Sequence, residues 1–324
     1  MPTAPRIDPA AALLFVINGQ AGSQDGDATR DAIESALAAA GRNGELLYCT
    51  PADLKRVAAE AAAKALASRS AVVAVGGDGT INTVAQAAHA AGCALGVVPR
   101  GTFNYFARTH GIATDTAEAA AQLLAARPAP VQVAAVNDQV FLVNASVGLY
   151  PDLLEDREAW KARFGRTRLV ALGAAAATLL RAQRRLKLRI DLDGFVRELR
   201  TLTLFVGNNR LQLEQLGVLV GERPDGAPDN GRVTAVMLKP IGTLAMLRLM
   251  LRGAMGSLGD DDGIERFEFQ EMVVNPPRVM RLRRMKVAFD GEVARMKPPL
   301  RFRVLPAPLW LLKPGATAEQ RTAE

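Results

Sequence analysis

Residues 71 to 82, AVVAVGGDGTIN, constrain the fold of this chain more than any other stretch. An apolar run from Ala71 to Val75 stops at Gly76-Gly77-Asp78-Gly79-Thr80, and an alanine-rich helical pattern containing Asn82 follows. This is the pattern of a buried strand, a tight glycine turn and a helix N-terminus. Glycines lack Cβ atoms, so backbone N–H groups can approach an anion closely, and a helix start adds unpaired donors and partial positive charge. A carboxylate repels phosphate, so Asp78 needs a bridging Mg²⁺ or a proton to be moved. The plainer alternative is a turn in which Asp78 and Thr80 only cap the helix. Two further turns downstream favour a site for a nucleoside triphosphate, built without the Walker lysine.

Around this turn strands and helices alternate up to about residue 128. Leu13 to Ile17 is a short apolar run, followed by the polar loop NGQAGSQDG. A helix fits Ala28 to Ala40, a strand Glu45 to Cys49 and a helix Ala52 to Leu66. After the glycine turn come a helix over Ile81 to Ala91 and a strand over Ala94 to Val98. Strands separated by single helices imply parallel pairing with right-handed crossovers, and ligands in such sheets sit beyond the carboxyl ends of the strands. Asn18, Thr50, Gly76 and Pro99 fall at those ends and are expected to converge on one crevice.

Past Pro128 and Pro130 the pattern changes. Val131 to Val147 alternates around an Asn137-Asp138 turn, as in a hairpin. Further strand-like runs are Leu186 to Leu192, Leu199 to Val206, Arg232 to Leu238, Glu265 to Val274, Arg283 to Phe289 and Leu300 to Leu305. Helical stretches interrupt them over Leu153 to Arg185 and Ile241 to Leu258. The expected architecture is an α/β nucleotide-binding domain with a parallel sheet over residues 1–130, then an antiparallel β-sandwich domain with inserted helices over 131–305. Residues 306–324 are a tail for which a return to the first domain is one option, and its last dozen residues look frayed. No internal repeat is present.

The length of 324 residues allows two domains with sizeable cores, and 49% hydrophobic with 23% charged residues is a globular composition. Cys49 and Cys93 lie in or beside apolar runs and read as reduced core thiols of a cytosolic protein, without zinc-ligand spacing. The start, MPTAPRIDPAAALLFVING, lacks a basic segment followed by a long apolar core, so no signal peptide is expected. No run of about 18 apolar residues suggests a membrane span. A net charge of +7 suits an anionic membrane surface or nucleic acid. Nucleic acid ranks last, because aromatics total only 5% and do not interleave with the basic residues.

Two more turns carry chemistry. In VVPRGTFNYFAR, Pro99 stops a strand, Gly101 permits a tight turn, and Thr102 and Asn104 can reach a ligand or cap the next helix. In VAFDGEVARMKPP, Asp290-Gly291-Glu292 sits at a hairpin-like turn, for which D-G is the ordinary signal. Two carboxylates one residue apart can also divide labour, one accepting a hydroxyl proton while the other orients it or holds metal.

GGDGTIN, then P-x-G-T-x-N, then D-G-E, in that order, resemble the diacylglycerol kinase-like lipid kinases, a family that includes bacterial lipid kinases and is related to sphingosine and ceramide kinases. The resemblance runs from about Leu13 to Val304 and extends to VINGQAG and to Phe205-Val206-Gly207-Asn208-Asn209. It implies a kinase that uses ATP and Mg²⁺ to phosphorylate a lipid hydroxyl such as that of diacylglycerol. Gly76, Gly77, Asp78, Gly79, Thr80 and Asn82 would cradle the ATP phosphates. Asn18, Thr50, Gly101, Thr102 and Asn104 would also face nucleotide, although T-P-A-D equally fits a helix start capped by Thr50. The resemblance implies Glu292 as general base with Asp290 as its partner, or Asp290 as the base itself. Two positions depart from the family pattern. Tyr105 stands where Asp usually follows G-T-x-N, and the structural-metal loop, usually D-G-x-L, reads Asp229-Asn230-Gly231-Arg232-Val233, with Asn230 in place of a carboxylate. An ordinary turn before a strand is the alternative for that loop.

A soluble lipid kinase must dock on a bilayer. Residues 160–189 hold an apolar centre between basic ends, and residues 243–258 carry Arg248 and Arg252 on a Leu/Met-rich background. Both suit a peripheral helix on an anionic surface at the inner membrane face, and both also suit a domain-bridging helix. Two other functions fit the loops: an NAD kinase-like enzyme, and a nucleotide-binding membrane sensor without transfer chemistry, for which Tyr105 is the motive. The oligomeric state is open.

Overall fold

The computed structural model describes residues 3–19, 24–149, 151, 186–192, 194–208, 231–239, 263–277 and 284–314. The helical stretches expected over 153–185 and 241–258, with Asn209, Asp229 and Asn230, lie outside the described residues. The chain divides into two compact units, Met1–Val133 with Pro306–Glu324, and Ala134–Leu305.

In the first unit β1 (Leu13–Asn18), α1 (Gln24–Ala39), β2 (Gly44–Cys49), α2 (Leu54–Ala67), β3 (Ala71–Gly76), α3 (Asp78–Ala91) and β4 (Ala94–Pro99) alternate strictly. A short α4 (Tyr105–Thr109), α5 (Thr116–Ala125) and β5 (Arg127–Val131) follow. β1 pairs in parallel with β2 and β3, and β3 with β4. Every residue of β3 and β4 is buried, as in parallel strands covered on both faces.

The second unit contains β6 (Ala134–Val136), β7 (Gln139–Phe141), β8 (Asn144–Gly148), β9 (Leu186–Leu192), β10 (Phe195–Thr201) and β11 (Thr203–Gly207). It continues with β12 (Val233–Leu238), β13 (Ile264–Phe269), β14 (Glu271–Asn275), β15 (Met285–Phe289), β16 (Glu292–Met296) and β17 (Leu300–Val304). They form two sheets, ordered β10-β9-β14-β17-β6-β7 and β13-β12-β11-β8-β15-β16. Phe141, Phe302, Ile190 and Met272 of one sheet and Leu204, Val206, Phe269 and Val287 of the other share one buried core. An α/β unit with a mostly parallel sheet and an antiparallel sandwich match the architecture the sequence indicates.

Two runs that read as single strands are broken. Leu199 to Val206 divides at Leu202 between β10 and β11, and Glu265 to Val274 divides at Gln270 between β13 and β14. In both cases the halves join different sheets. At the first break the Thr201 hydroxyl lies 2.6 Å from the carbonyl oxygen of Thr203 and 2.8 Å from that of Leu238, turning the chain from one layer to the other. A period of two reports which face is apolar, not which sheet a residue enters.

The chain then re-enters the first unit as β18 (Leu309–Lys313), parallel to β4 and antiparallel to β5. The first sheet therefore reads β2-β1-β3-β4-β18-β5. β5 is not evident from sequence, because Pro128 and Pro130 argue against a strand, whereas β18 lies in the tail for which sequence leaves a return to the first domain open. As an edge strand β5 tolerates them: prolines cannot donate to a ladder, and an edge needs donors on one side only.

Candidate functional site

The first group of site residues is built where β3 meets α3. Gly77 holds the N-cap position of α3 in an extended conformation and has no side chain, so Asp78 and Thr80 do not cap the helix. Thr80 is buried, and its hydroxyl instead accepts a 3.0 Å hydrogen bond from Asn18 Nδ2 at the end of β1. A Cβ on Gly76 would lie 2.7–2.9 Å from the Thr80 side chain, so this approach requires glycine. Asn82 is buried in the first turns of α3.

The second glycine turn packs directly on the first. Arg100 N–H donates to Gly76 O at 2.8 Å, and a Cβ on Gly101 would lie 3.0 Å from Gly77 Cα. Asn104, left-handed at φ 49° and buried, brackets Gly101: its Oδ1 accepts from Gly101 N–H and its Nδ2 donates to Gly101 O, each at 2.9 Å. Its own N–H donates to Asp78 Oδ2 at 3.2 Å. One asparagine thus shapes the second turn and ties it to the first. Thr102 is exposed beside Gly101. Tyr105 opens α4 and stacks in parallel on Phe103, with ring centroids 5.6 Å apart.

Asp78 is the unsatisfied group here. Its Oδ1 is buried and has no hydrogen-bond partner. Burial raises its pKa above the usual carboxylate range, and the backbone N–H groups of Asn104 and Tyr105 oppose that shift. A buried carboxylate oxygen without a donor normally needs a cation or a proton. With glycine turns and a helix N-terminus beside it, the arrangement can take an anionic group together with a divalent cation.

Thr50 differs from the others at the strand ends. It is exposed, and its hydroxyl donates to Asp53 Oδ2 at 2.8 Å. α2 starts at Leu54 with Asp53 at its N-cap, so Thr50 does not cap it.

In the second unit Asp290 and Gly291 form a two-residue turn between β15 and β16, with Phe289 paired to Glu292. Both turn residues have positive φ, 44° and 88°, the geometry of a tight hairpin for which D-G is favoured. The Asp290 side chain is buried and accepts three backbone N–H groups: Leu142 at 2.7 Å, Val143 at 2.9 Å and Asn144 at 3.0 Å. From the other side Asn208, at the end of β11, donates through Nδ2 to Leu142 O at 3.0 Å and through its N–H to Val143 O at 2.9 Å. Asp290 and Asn208 together clamp the turn between β7 and β8. Sequence alone does not single out that turn; the signal for it is Asn144, a polar residue opening an apolar strand. The Glu292 side chain, two residues from Asp290, is exposed. Arg232, the one residue of the proposed metal loop's ligand set that is described, is exposed just before β12.

Two parts of the chain match known protein families. Residues 12–136 match the diacylglycerol kinase catalytic domain, and residues 152–313 match the YegS C-terminal NAD kinase beta sandwich-like domain. A YegS-like probable lipid kinase of Klebsiella pneumoniae strain 342 is 34% identical over 143 residues, 43% of this chain and 47% of the relative, so the chain spans about half of that protein's length. The diacylglycerol kinase of Bacillus subtilis strain 168 is 29% identical over 240 residues, covering 70% of this chain and 72% of that one. A crystal structure of a diacylglycerol kinase from Bacillus anthracis strain Sterne has the same fold, with a TM-score of 0.66 at 21% identity over 93% of this chain and 96% of that one.

Proposed function

The chain belongs to the diacylglycerol kinase-like lipid kinase family, and we propose that it transfers the γ-phosphate of ATP, with Mg²⁺, to a lipid hydroxyl such as that of diacylglycerol. The observation that carries this reading is the buried, partnerless Asp78 Oδ1 between two glycine turns at a helix start. The N–H groups from Gly77 to Thr80 receive phosphate oxygens, with Asn82, Gly101 and Thr102 beside them and Asn18 and Asn104 fixing the turns. Thr50, at the end of β2, is assigned to the nucleotide as well. Asp78 Oδ1 fits Mg²⁺, which typically binds one or two carboxylates plus substrate phosphates; when bound it neutralises charge on the transferring phosphoryl group.

Glu292 takes the proton of the lipid hydroxyl as that oxygen bonds to the γ-phosphorus and ADP departs. Asp290 suits this task poorly, because three N–H groups already occupy its oxygens. Its role is to hold the hairpin that presents Glu292. Asp229, Asn230 and Arg232 are assigned to a structural cation. Arg232 can serve there only through its main-chain carbonyl, since a guanidinium only donates. No described helix is long and apolar enough to cross a membrane. The proposal places the protein peripherally at an anionic inner membrane face.

The test is transfer from [γ-³²P]ATP with Mg²⁺ into extracted lipids, with Glu292→Ala as control and NAD as a competing acceptor. Label in a lipid that vanishes in the variant is the expected result. Label in NAD alone would favour the NAD kinase-like alternative, and bound ATP without transfer would favour the sensor.

A further inference from the structure

Among the described residues four large hydrophobic side chains are exposed: Leu66, Phe103, Phe195 and Val196. Two of these are consecutive. Phe195 is 81% exposed and Val196 50%, and they open β10 directly after the turn from β9. Leu192 pairs with Phe195, so only two residues form that turn, and Gly194, at φ 94°, donates its N–H to Asp191 Oδ1 at 3.1 Å. Such a short turn gives Phe195 no slack to fold back. Successive strand side chains point to opposite faces, so the tip is apolar on both.

The body of the hairpin is fixed and carries both signs of charge, with Asp191 and Glu198 among Lys187, Arg189, Arg197 and Arg200. Arg197 reaches the other sheet, where it pairs with Glu265 at 2.6 Å and lies 5.0 Å from the ring centre of Phe267. Farther back Lys187 stands directly opposite Arg200, and Arg189 opposite Glu198. Lys187 and Arg200 are exposed and have no ion-pair partner among the described residues. Like charges facing each other across a ladder destabilise it. Exposed Phe-Val at a rigid tip and an uncompensated cation pair behind it are relieved together by one kind of surface, an apolar layer beneath anionic headgroups.

We propose that the β9–β10 hairpin docks the protein on an anionic bilayer, with Phe195 and Val196 entering below the headgroups and Lys187 and Arg200 drawn to the lipid phosphates. At about 3.4 Å per residue, the Lys187–Arg200 pair lies about 17 Å behind the tip. The choice of a bilayer over another partner rests on the lipid-acceptor reading above. Lys187 and Arg189 of β9 are the last basic residues of the 160–189 segment that sequence offers for docking.

The test is partition of the full chain onto phosphatidylcholine vesicles with and without phosphatidylglycerol, by sedimentation and without catalysis. Phe195→Ser with Val196→Ser should weaken binding at least tenfold, and Lys187→Glu with Arg200→Glu should remove most of the preference for anionic vesicles. Phe195→Trp should show blue-shifted emission, relative to wild type, only when vesicles are present. Unchanged partition in the double serine variant, or no binding by the wild type, overturns the proposal. So does a self-association by wild type that the serine variant loses without any change on vesicles. Transfer to a short-chain acceptor dispersed in water should be the same in all variants. A wild type inactive there counts against the kinase reading alone, because no bilayer is present.

Discussion

Asp78 and Asp290 are both aspartates at glycine turns, and their surroundings are opposite. Asp290 has three backbone donors on its two oxygens, whereas Asp78 has one oxygen held and the other buried without a partner. A fully satisfied carboxylate builds its surroundings. A carboxylate left short of partners destabilises the fold until something binds, which is the mark of a functional group. Residue type and turn context do not separate the two; the donor count does.

The comparison breaks first at Asp78. Asp78→Asn should lower phosphoryl transfer by about 10³-fold or more, with a melting temperature equal to or above wild type, measured by calorimetry beside the kinetic assay. A large loss of stability would mean that Asp78 is structural after all. Glu292→Gln comes next: the general-base role predicts a fall in kcat of about 10²–10³-fold with unchanged melting and ATP affinity. Asp290→Ala should do the reverse, costing about 3 kcal/mol of stability in denaturant titration by stranding three N–H groups. Activity per folded molecule should fall less than in Glu292→Gln.

A half-buried histidine extends the contrast to pH. His110 packs edge-on against Phe106, and burial, with a smaller push from Lys313, lowers its pKa to about 3. The folded state holds it neutral while the unfolded chain protonates near 6.5, so its stabilising contribution is present above about pH 6.5 and is lost as pH falls toward 3. At pH 5 the loss is about 2 kcal/mol, and His110→Phe should flatten that limb of the stability profile. The smallest effect belongs to Thr50, already tied to Asp53. Thr50→Ala should raise the KM for ATP by only about threefold, the scale of one neutral hydrogen bond; a hundredfold change would promote it to the level of Asp78.

Much of this was legible in the chain, for reasons that differ from place to place. Single helices between apolar runs force parallel pairing, so β1 to β4 and the placing of Asn18 and Gly76 at their carboxyl ends follow from spacing. The D-G turn at 290–291 and the hairpin at Asn137 follow from turn chemistry. The breaks at Leu202 and Gln270 do not, because alternation is blind to which sheet a strand joins. The pairing of β18 is hidden because its partners are over 170 residues away or masked by prolines. The choice between Asp290 and Glu292 depends on who donates to whom, and the donors at 142–144 come from a distant turn with no motif of its own.

The place of β18 between β4 and β5 sets a timetable for the chain's birth on the ribosome. The first sheet has its outer strand β5 by residue 131 but receives the strand that joins it to β4 only at residues 309–313. At about 5–20 residues per second that interval lasts roughly ten to thirty-five seconds, through synthesis of the whole second unit. Until then the growing polypeptide carries an open edge on buried, strongly apolar β4, a template for wrong partners. A truncation before Leu309 would make that transient condition permanent, and ribosome-bound chaperones are the factors whose removal should be felt in this window.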